Sequence, residues 1–485
     1  MIKIGKTKSN FIFQMIYQIV TLAIPLVIAP YLTRVLGDTS LGIYTYTYSI
    51  AFCFMSFARL GIDKYGQRVI ATVRDCDIKL RKTFWSLYFV HVFFTLLALI
   101  IYFLFILILV EKYTYIFFLQ GLVVFSVLFD VTWLFYGIEN FKFIVFENLL
   151  VKISEILLIF DFVNNKSDLD IYTLVIGISM CFGYLLVFPF VIHTIKPVKI
   201  KFDDIKKHIV PLLVLFTAVI ASTMYQMIDK TLLGFLSTEK NVAYYEYANK
   251  ILNVPVNLIF VMGTILMPRA CIYASKGDIL NQTKYINISL NFVAFVGIGS
   301  MFGLLSVSTL FSVIYYGDNF IDCGFVMMSL SPIILLLGIE NIIRTQYMIP
   351  NQMDKQFSYC LFFSVFLNFV FSLSLIPIYG LYGAVIGTVI AEISCTIIHI
   401  FLCHSFITFS QIIKVCTPYF LSGIIMYVIL SLIKIKYNNL LYHLIMQIII
   451  GGITYCSICF LLKKLFITEK VRLLNFCFSK NALKR

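Results

Sequence analysis

Charge is what this sequence has least of. Asp, Glu, Lys and Arg make up only 13% of its 485 residues, about half the usual share of a soluble domain. A chain this long cannot clothe a water-exposed surface with so few charges, and an ordinary soluble fold is excluded. Acidic groups are scarcer than basic ones, 24 against 38. Sizeable polar regions between the apolar runs are also lacking, and the outward connections, such as 37–40 and 237–241, are short. There is no nucleotide-binding loop, metal-ligand cluster or nucleophile elbow. The first apolar run lacks a small-residue cleavage site, so it is expected to stay as an uncleaved anchor. The reading is of a protein that is not an enzyme and has no cofactor.

What is present is hydrophobicity: 61% apolar residues and a mean hydropathy of +0.95. Runs of about 20 apolar residues cross a bilayer as helices. They are expected at about 11–36, 41–61, 83–110, 113–137, 141–163, 171–195, 209–236, 241–268, 286–315, 321–349, 357–376, 381–405, 415–433 and 441–463. This makes an all-α integral membrane protein of about fourteen spans. The fifth is the weakest, because Glu147, Lys152, Glu155 and Asp161 interrupt it.

The net charge of +14 is a matter of placement. With the N-terminus cytoplasmic, about 27 of the 38 basic residues fall in inward loops and about 5 in outward ones. Both termini are then cytoplasmic, and no nucleic-acid partner is implied. Of the twelve cysteines, the Cys456/Cys459 pair is read as helix packing. His91, His193 and His399 are read as helix residues with local hydrogen-bond partners, not as ligands.

Four spans carry polar stripes where lipid-facing helices should have none. The first holds Asn10, Gln14, Gln18 and Thr21; the second Tyr44, Tyr48, Ser56 and Arg59. The seventh holds Ser222, Gln226 and Asp229; the eighth Glu246, Asn249, Lys250, Asn253 and Asn257. Steps of three, four or multiples of them keep each set near one helix face. Polar groups at membrane depth are costly unless they meet water, each other or a polar cargo. The stripes therefore imply a hydrated cavity, and the cavity implies transport.

An internal repeat selects the same helices. Ile171-Tyr-Thr-Leu-Val-Ile-Gly177 echoes Leu381-Tyr-Gly-Ala-Val-Ile-Gly387, and Thr33-Arg-Val-Leu-Gly37 echoes Lys230-Thr-Leu-Leu-Gly234. An offset of about 200 residues spans six helices, so the halves share one orientation about an axis along the membrane normal. The expected division is a six-helix bundle over 1–200, a second over 201–408, an added helix pair over 409–465 and a basic cytoplasmic tail over 466–485.

Several motifs resemble the polysaccharide repeat-unit (O-antigen and capsule) flippases of the multidrug/oligosaccharidyl-lipid/polysaccharide exporter superfamily. They are Pro30-Tyr-Leu-Thr-Arg-Val-Leu-Gly37 with Leu41-Gly-Ile-Tyr44, Leu60-Gly-Ile-Asp63, and Ile228-Asp-Lys-Thr-Leu-Leu-Gly234 with Val242-Ala-Tyr-Tyr245. Met267-Pro-Arg269 and Ile376-Pro-Ile-Tyr-Gly-Leu-Tyr-Gly383 complete the set. Ala243 departs from the glycine that commonly precedes the tyrosine. The resemblance runs over about residues 10–400 and implies a V-shaped pair of bundles. It implies a cargo of undecaprenyl-pyrophosphate-linked glycan, moved from the inner to the outer leaflet of a bacterial inner membrane. Other polysaccharide-assembly membrane proteins are possible partners.

For such a cargo the sequence offers Arg34, Arg59, Lys250 and Arg269 as headgroup contacts, since guanidinium and ammonium groups suit phosphate. Gln14, Gln18, Tyr48, Gln226, Asn249, Asn253 and Asn257 suit sugar hydroxyls as cavity lining. Asp229, Glu246 and Glu340 are the ion-coupling candidates. Against that, Glu246 with Lys250 and Glu340 with Arg344 have the four-residue spacing of intrahelical ion pairs. Lys152 is expected to be neutralised by Glu155 or Asn148. Pro25, Pro30, Pro255, Pro268 and Pro332 are candidate bends. The competing readings are a cation-coupled drug or metabolite antiporter of the same superfamily and a membrane-embedded polymerase or glycosyltransferase.

Overall fold

The computed structural model describes residues 21, 23–404, 406–432 and 439–482. Gln14 and Gln18 lie outside them. The described chain is helical, with no strand among the described residues. The helices are α1 (Ala23–Val35), α2 (Gly37–Arg59), α3 (Ile62–Val73), α4 (Asp77–Leu109), α5 (Thr114–Ser126), α6 (Thr132–Gly137), α7 (Phe141–Phe162), α8 (Leu169–Thr194) and α9 (Phe202–Leu236). They continue with α10 (Glu239–Ser275), α11 (Ile279–Tyr316), α12 (Ile321–Leu330), α13 (Ile333–Ile343), α14 (Asp354–Tyr379), α15 (Leu381–Leu402), α16 (Phe409–Leu432) and α17 (Leu440–Ala482).

Among the described residues, 11 helices are long and apolar enough to cross a membrane, or 12 when the α12–α13 pair counts as one bent span. The expected fourteen would also need α1, whose described part is short, and the charge-rich α7. Length and apolarity therefore do not by themselves fix that number. The α12–α13 break bends the chain by 46° at Pro332, which stands just before α13; the expected bend is there. Two expectations shift. The stretch after the second span, read as a loop, forms α3. The fourth span is interrupted at 127–131, where a 3-10 turn and extended backbone separate α5 from α6.

The chain forms two compact units. The first comprises residues 1–246 and 369–384, the second 247–368 and 385–485. The six-helix duplication divides the sequence, not these contacts, and remains a proposal.

Within the first unit, α2 packs on α9 and on the first residue of α10 through small residues. A Cβ on Gly42 would lie 1.8 Å from the Glu239 carbonyl oxygen, and one on Gly234 would lie 1.9 Å from the Tyr46 ring. With the backbones this close, short hydroxyls bridge the helices: Ser49 with Thr231 at 2.9 Å and Thr223 with Ser56 at 3.0 Å. Toward the start of α2, Asp38 accepts from Tyr244 at 2.9 Å and pairs with Lys240 at 3.3 Å. Tyr113 donates to Glu239 there. The outer face of α4 exposes Phe89, Phe93, Leu96, Ile100, Leu104 and Leu107, as lipid contact requires. Lys152 of α7 meets Glu155 at 2.6 Å, the local neutralisation expected of that weak span.

Within the second unit, α16 and α17 pack on α11. Tyr419 donates to Asn291 at 3.0 Å, Tyr455 to the Phe295 carbonyl at 2.8 Å, and Gln411 to Asn287 at 2.6 Å. Cys459 is buried in this cluster, whereas Cys456, three residues earlier, is exposed.

Candidate functional site

Arg59 ends α2 because the next two residues leave the helical region: Leu60 has φ 47° and Gly61 φ 74°. Both are left-handed, which stops the helix sharply and starts α3, with Asp63 in its first turn. The guanidinium thus sits at a helix C-terminus, where the macrodipole favours a cation.

Its main partner comes from the interrupted fourth span. Asp130 lies between the 3-10 turn and α6, and its two oxygens do separate work. Oδ1 caps α6, accepting from the Thr132 amide at 3.2 Å and the Thr132 hydroxyl at 2.6 Å. Oδ2 meets Arg59 at 2.9 Å, with the Asp130 side chain only 3% exposed and that of Arg59 23%. Arg59 also donates to the Tyr184 hydroxyl of α8 at 3.0 Å and stands 4.0 Å from Asp63. These groups, with Asn148, Tyr136, Trp133 and Ile144, line a cavity of about 240 Å³. The buried Nε of Arg59 has no hydrogen-bond partner within the protein. A buried donor of this kind costs free energy until something accepts from it. Trp133 holds the wall, packing so close to Gly66 that a Cβ there would lie 2.7 Å from its ring.

A ladder of rings runs along α2 from this end. Phe52 lies 6.0 Å from Tyr48, Tyr48 is stacked 5.7 Å from Tyr44, and Tyr44 meets Tyr172 of α8 at 4.6 Å. The spacing of four keeps Tyr44, Tyr48 and Phe52 on one face.

Arg34 lies near the other end of α2, about 33 Å away by helical rise; it is exposed and donates to the Pro30 carbonyl at 2.8 Å. The two arginines are not brought together. Lys250 and Arg269 share α10 but stand nineteen positions apart, about 28 Å along a straight helix. Lys250 lies over the Tyr247 ring at 4.0 Å, and Arg269 donates to Tyr285 at 3.1 Å. Asn249 and Asn257 are half-buried and Asn253 exposed, in one line on α10; Gln226 on α9 is exposed.

The three acidic candidates have three environments. Asp229, 5% exposed, accepts from Tyr245 at 2.7 Å and from Ser372 at 3.2 Å. Glu246 pairs with Lys230 of α9 at 2.5 Å, a partner that spacing along its own helix could not reveal. Glu340 accepts from Thr396 at 2.7 Å and faces His399 at 3.9 Å. Arg344, its expected intrahelical partner, turns to Asn341 at 3.3 Å and to the Phe357 ring. A π-helical turn over Arg344–Met348 changes the register after that residue.

Asp130, Tyr184 and Lys230 are the site residues missed from sequence. Asp130 did leave a signal: it is a single carboxylate inside an apolar span, and such groups are rare at membrane depth unless paired or functional.

Comparison with known proteins gives the chain's family and fold. The model of a family described as "Polysaccharide biosynthesis protein" matches residues 7–271. A curated protein of Escherichia coli (strain K12), named "Putative O-antigen transporter", is 24% identical over 398 residues, covering 79% of this chain and 94% of that one. Among solved structures, "Lipid II flippase MurJ, inward closed conformation" has a TM-score of 0.73 at 17% identity, covering 95% of this chain and 99% of that one. An inward-facing multidrug resistance MATE family transporter of the MOP superfamily gives 0.60 at 11% identity, over 86% and 96%. At these identities the structural likenesses concern the fold. The family match covers more than half of the chain, and the protein belongs to the polysaccharide biosynthesis protein family.

Proposed function

We propose that this protein is a flippase, a transporter and not an enzyme, which moves a lipid-linked oligosaccharide repeat unit across the membrane for surface polysaccharide assembly. Burying even one unsatisfied hydroxyl in hydrocarbon costs several kcal/mol, so an oligosaccharide crosses only where polar groups replace water. The observation that carries the reading is the Arg59 cavity: a fixed cation inside a membrane protein, with a donor to spare and a tyrosine ladder leading from it. A guanidinium suits phosphate oxygens, and tyrosines offer sugars both a flat apolar face and a hydroxyl.

The finer parts of the proposal follow from the same chemistry. The cargo is a polyprenyl pyrophosphate, undecaprenyl in bacteria, carried in the inner membrane with both termini cytoplasmic. Arg59 is the first headgroup contact, and Lys250 and Arg269 along α10 and Arg34 at the far end of α2 are later ones. Tyr48, Gln226, Asn249, Asn253 and Asn257 line the sugar path, joined by Gln14 and Gln18 of the first span. The two six-helix halves alternate access. Asp229, a buried acid that accepts from the Tyr245 and Ser372 hydroxyls, is the coupling site for a proton or sodium ion. That same feature favours the second reading, a cation-coupled antiporter, whose readout would be drug resistance in place of glycan display.

The test separates fold from transport. In Arg59→Met/Asp130→Asn both charges are removed together, so neither is left buried alone. It is expected to reach wild-type protein levels yet display at least tenfold less surface glycan in cells lacking the native gene. Arg59→Lys, which keeps the charge, is expected to retain more export. Full glycan display by the neutral double variant would overturn the assignment of Arg59.

A further inference from the structure

The second unit holds a side-chain cluster around Glu340 that glycan binding does not explain. Cys395 and His399 are one helical turn apart on α15, and Glu340 reaches them from α13. Cys395 Sγ lies 3.5 Å from His399 Nδ1, and Nδ1 lies 3.9 Å from Glu340 Oε2. The three ligand atoms all fall within 4.8 Å of one another. His399 is 1% exposed and Cys395 3%. We propose that Glu340, Cys395 and His399 form a binding site for a zinc-class divalent cation, fastening α13 to α15.

Geometry supports this first. Tetrahedral zinc, at about 2.3 Å from sulfur and about 2.0–2.2 Å from nitrogen and oxygen, sets its ligand atoms about 3.4–3.6 Å apart. The two printed separations need only a few tenths of an ångström of closure. The donor set of thiolate, imidazole and carboxylate is the one borderline-soft Zn²⁺ accepts.

The surroundings hold the carboxylate in place, whereas the buried His399 Nε2 has no hydrogen-bond partner within the protein. Thr396 donates to Glu340 Oε1 at 2.7 Å, which turns Oε2 toward the imidazole. An outer-shell hydrogen bond of this kind is how ligating carboxylates are oriented. The His399 ring lies 6.0 Å from that of Phe357, at 29°, which restrains its plane. Three protein ligands leave the fourth tetrahedral position to a water.

Charge bookkeeping points the same way. Binding replaces the thiol proton, which leaves to bulk water, by a metal–sulfur bond. One dication then balances one thiolate and one carboxylate, with the imidazole neutral. The product is an electroneutral cluster, the form that a low-dielectric interior tolerates best. His399 does have the local partner expected of it, Cys395 on α15, but this proposal departs from the expectation that it is not a ligand.

The test uses the full chain in nanodiscs, stripped of metal by a chelator and titrated with Co²⁺. The expected result is one equivalent bound, with a sulfur-to-cobalt charge-transfer band and tetrahedral d–d bands, both erased by added Zn²⁺. Cys395→Ser should lose the charge-transfer band while remaining monodisperse. Thr396→Val, which touches no metal, should weaken binding about 10–100-fold. Absence of a zinc-sensitive band in the wild type would overturn the proposal. So would a band of equal strength in Cys395→Ser, which would place the metal on other cysteines. Neither outcome bears on glycan export, because the site does not depend on that reading.

Discussion

Asp130→Asn isolates one interaction of the Arg59 cavity. Asparagine still offers an oxygen to Thr132, so the cap on α6 survives, while the charge facing Arg59 is gone. Removing one partner of a buried ion pair costs about 3–5 kcal/mol, because the other charge is left uncompensated. Here Arg59 keeps the Tyr184 hydroxyl at 3.0 Å, Asp63 at 4.0 Å, and 23% exposure of its side chain. These lower the expected cost to about 2–3 kcal/mol. Arg59→Met strands Asp130 in the same way. The double variant strands neither, and the pair should show a coupling energy of about 2 kcal/mol in a double-mutant cycle. The protein carries its own probe: its two tryptophans are Trp85 and Trp133, and both belong to the apolar cluster around this cavity. Denaturant titration in mixed micelles, followed by intrinsic fluorescence, therefore reports on the region perturbed. Single variants within 0.5 kcal/mol of wild type, or costs that simply add in the double, would refute the reasoning.

Two further outcomes are expected. Gly42→Ala places a methyl 1.8 Å from a backbone oxygen of Glu239 and should destabilise by about 1–3 kcal/mol as α2 and α10 are forced apart. Gly303→Ala, whose methyl meets nothing within 4 Å, should be tolerated; equal thermal shifts for the two would deny the close contact. In the connection before α8, the Asn164 and Asn165 amides both donate to Asp168, at 2.9 Å and 2.8 Å, and these bonds hold its carboxyl below the usual 3.8. A carboxyl lowered on folding stabilises above its unfolded value and loses that contribution as pH falls through the folded one. Hydrogen exchange at those two amides, corrected for intrinsic rate, should quicken below about pH 3.8. The response should be absent in Asp168→Asn; equal exchange in the two proteins would count against it.

Hydropathy revealed most of the helices because the bilayer judges a span by its average composition, which a single sequence displays. It could not place the interruption at 127–131, since a break of a few residues leaves that average unchanged. Arg59 was legible as an isolated cation at the end of an apolar run. Its partner Asp130 was not, because their contact joins helices seventy-one positions apart. Glu246 shows the same limit: packing between helices adds Lys230 as a partner, which spacing along one helix could not propose. The Glu340 cluster escaped because its residues come from two spans that no short motif connects.

The bent α12–α13 span carries two departures from regular helix within one crossing, the break at Pro332 and the π turn at Arg344–Met348. Each frees backbone carbonyls or amides from their usual intrahelical partners, and hydrocarbon would offer them none. Ser331, Thr345, Gln346 and Met348 are accordingly buried against protein. Such a segment is sheltered from the greasy solvent that disciplines its neighbours. Its sequence is free to collect Glu340, Asn341, Arg344, Thr345 and Gln346 within one short stretch, a density of polar side chains that no lipid-facing crossing could carry.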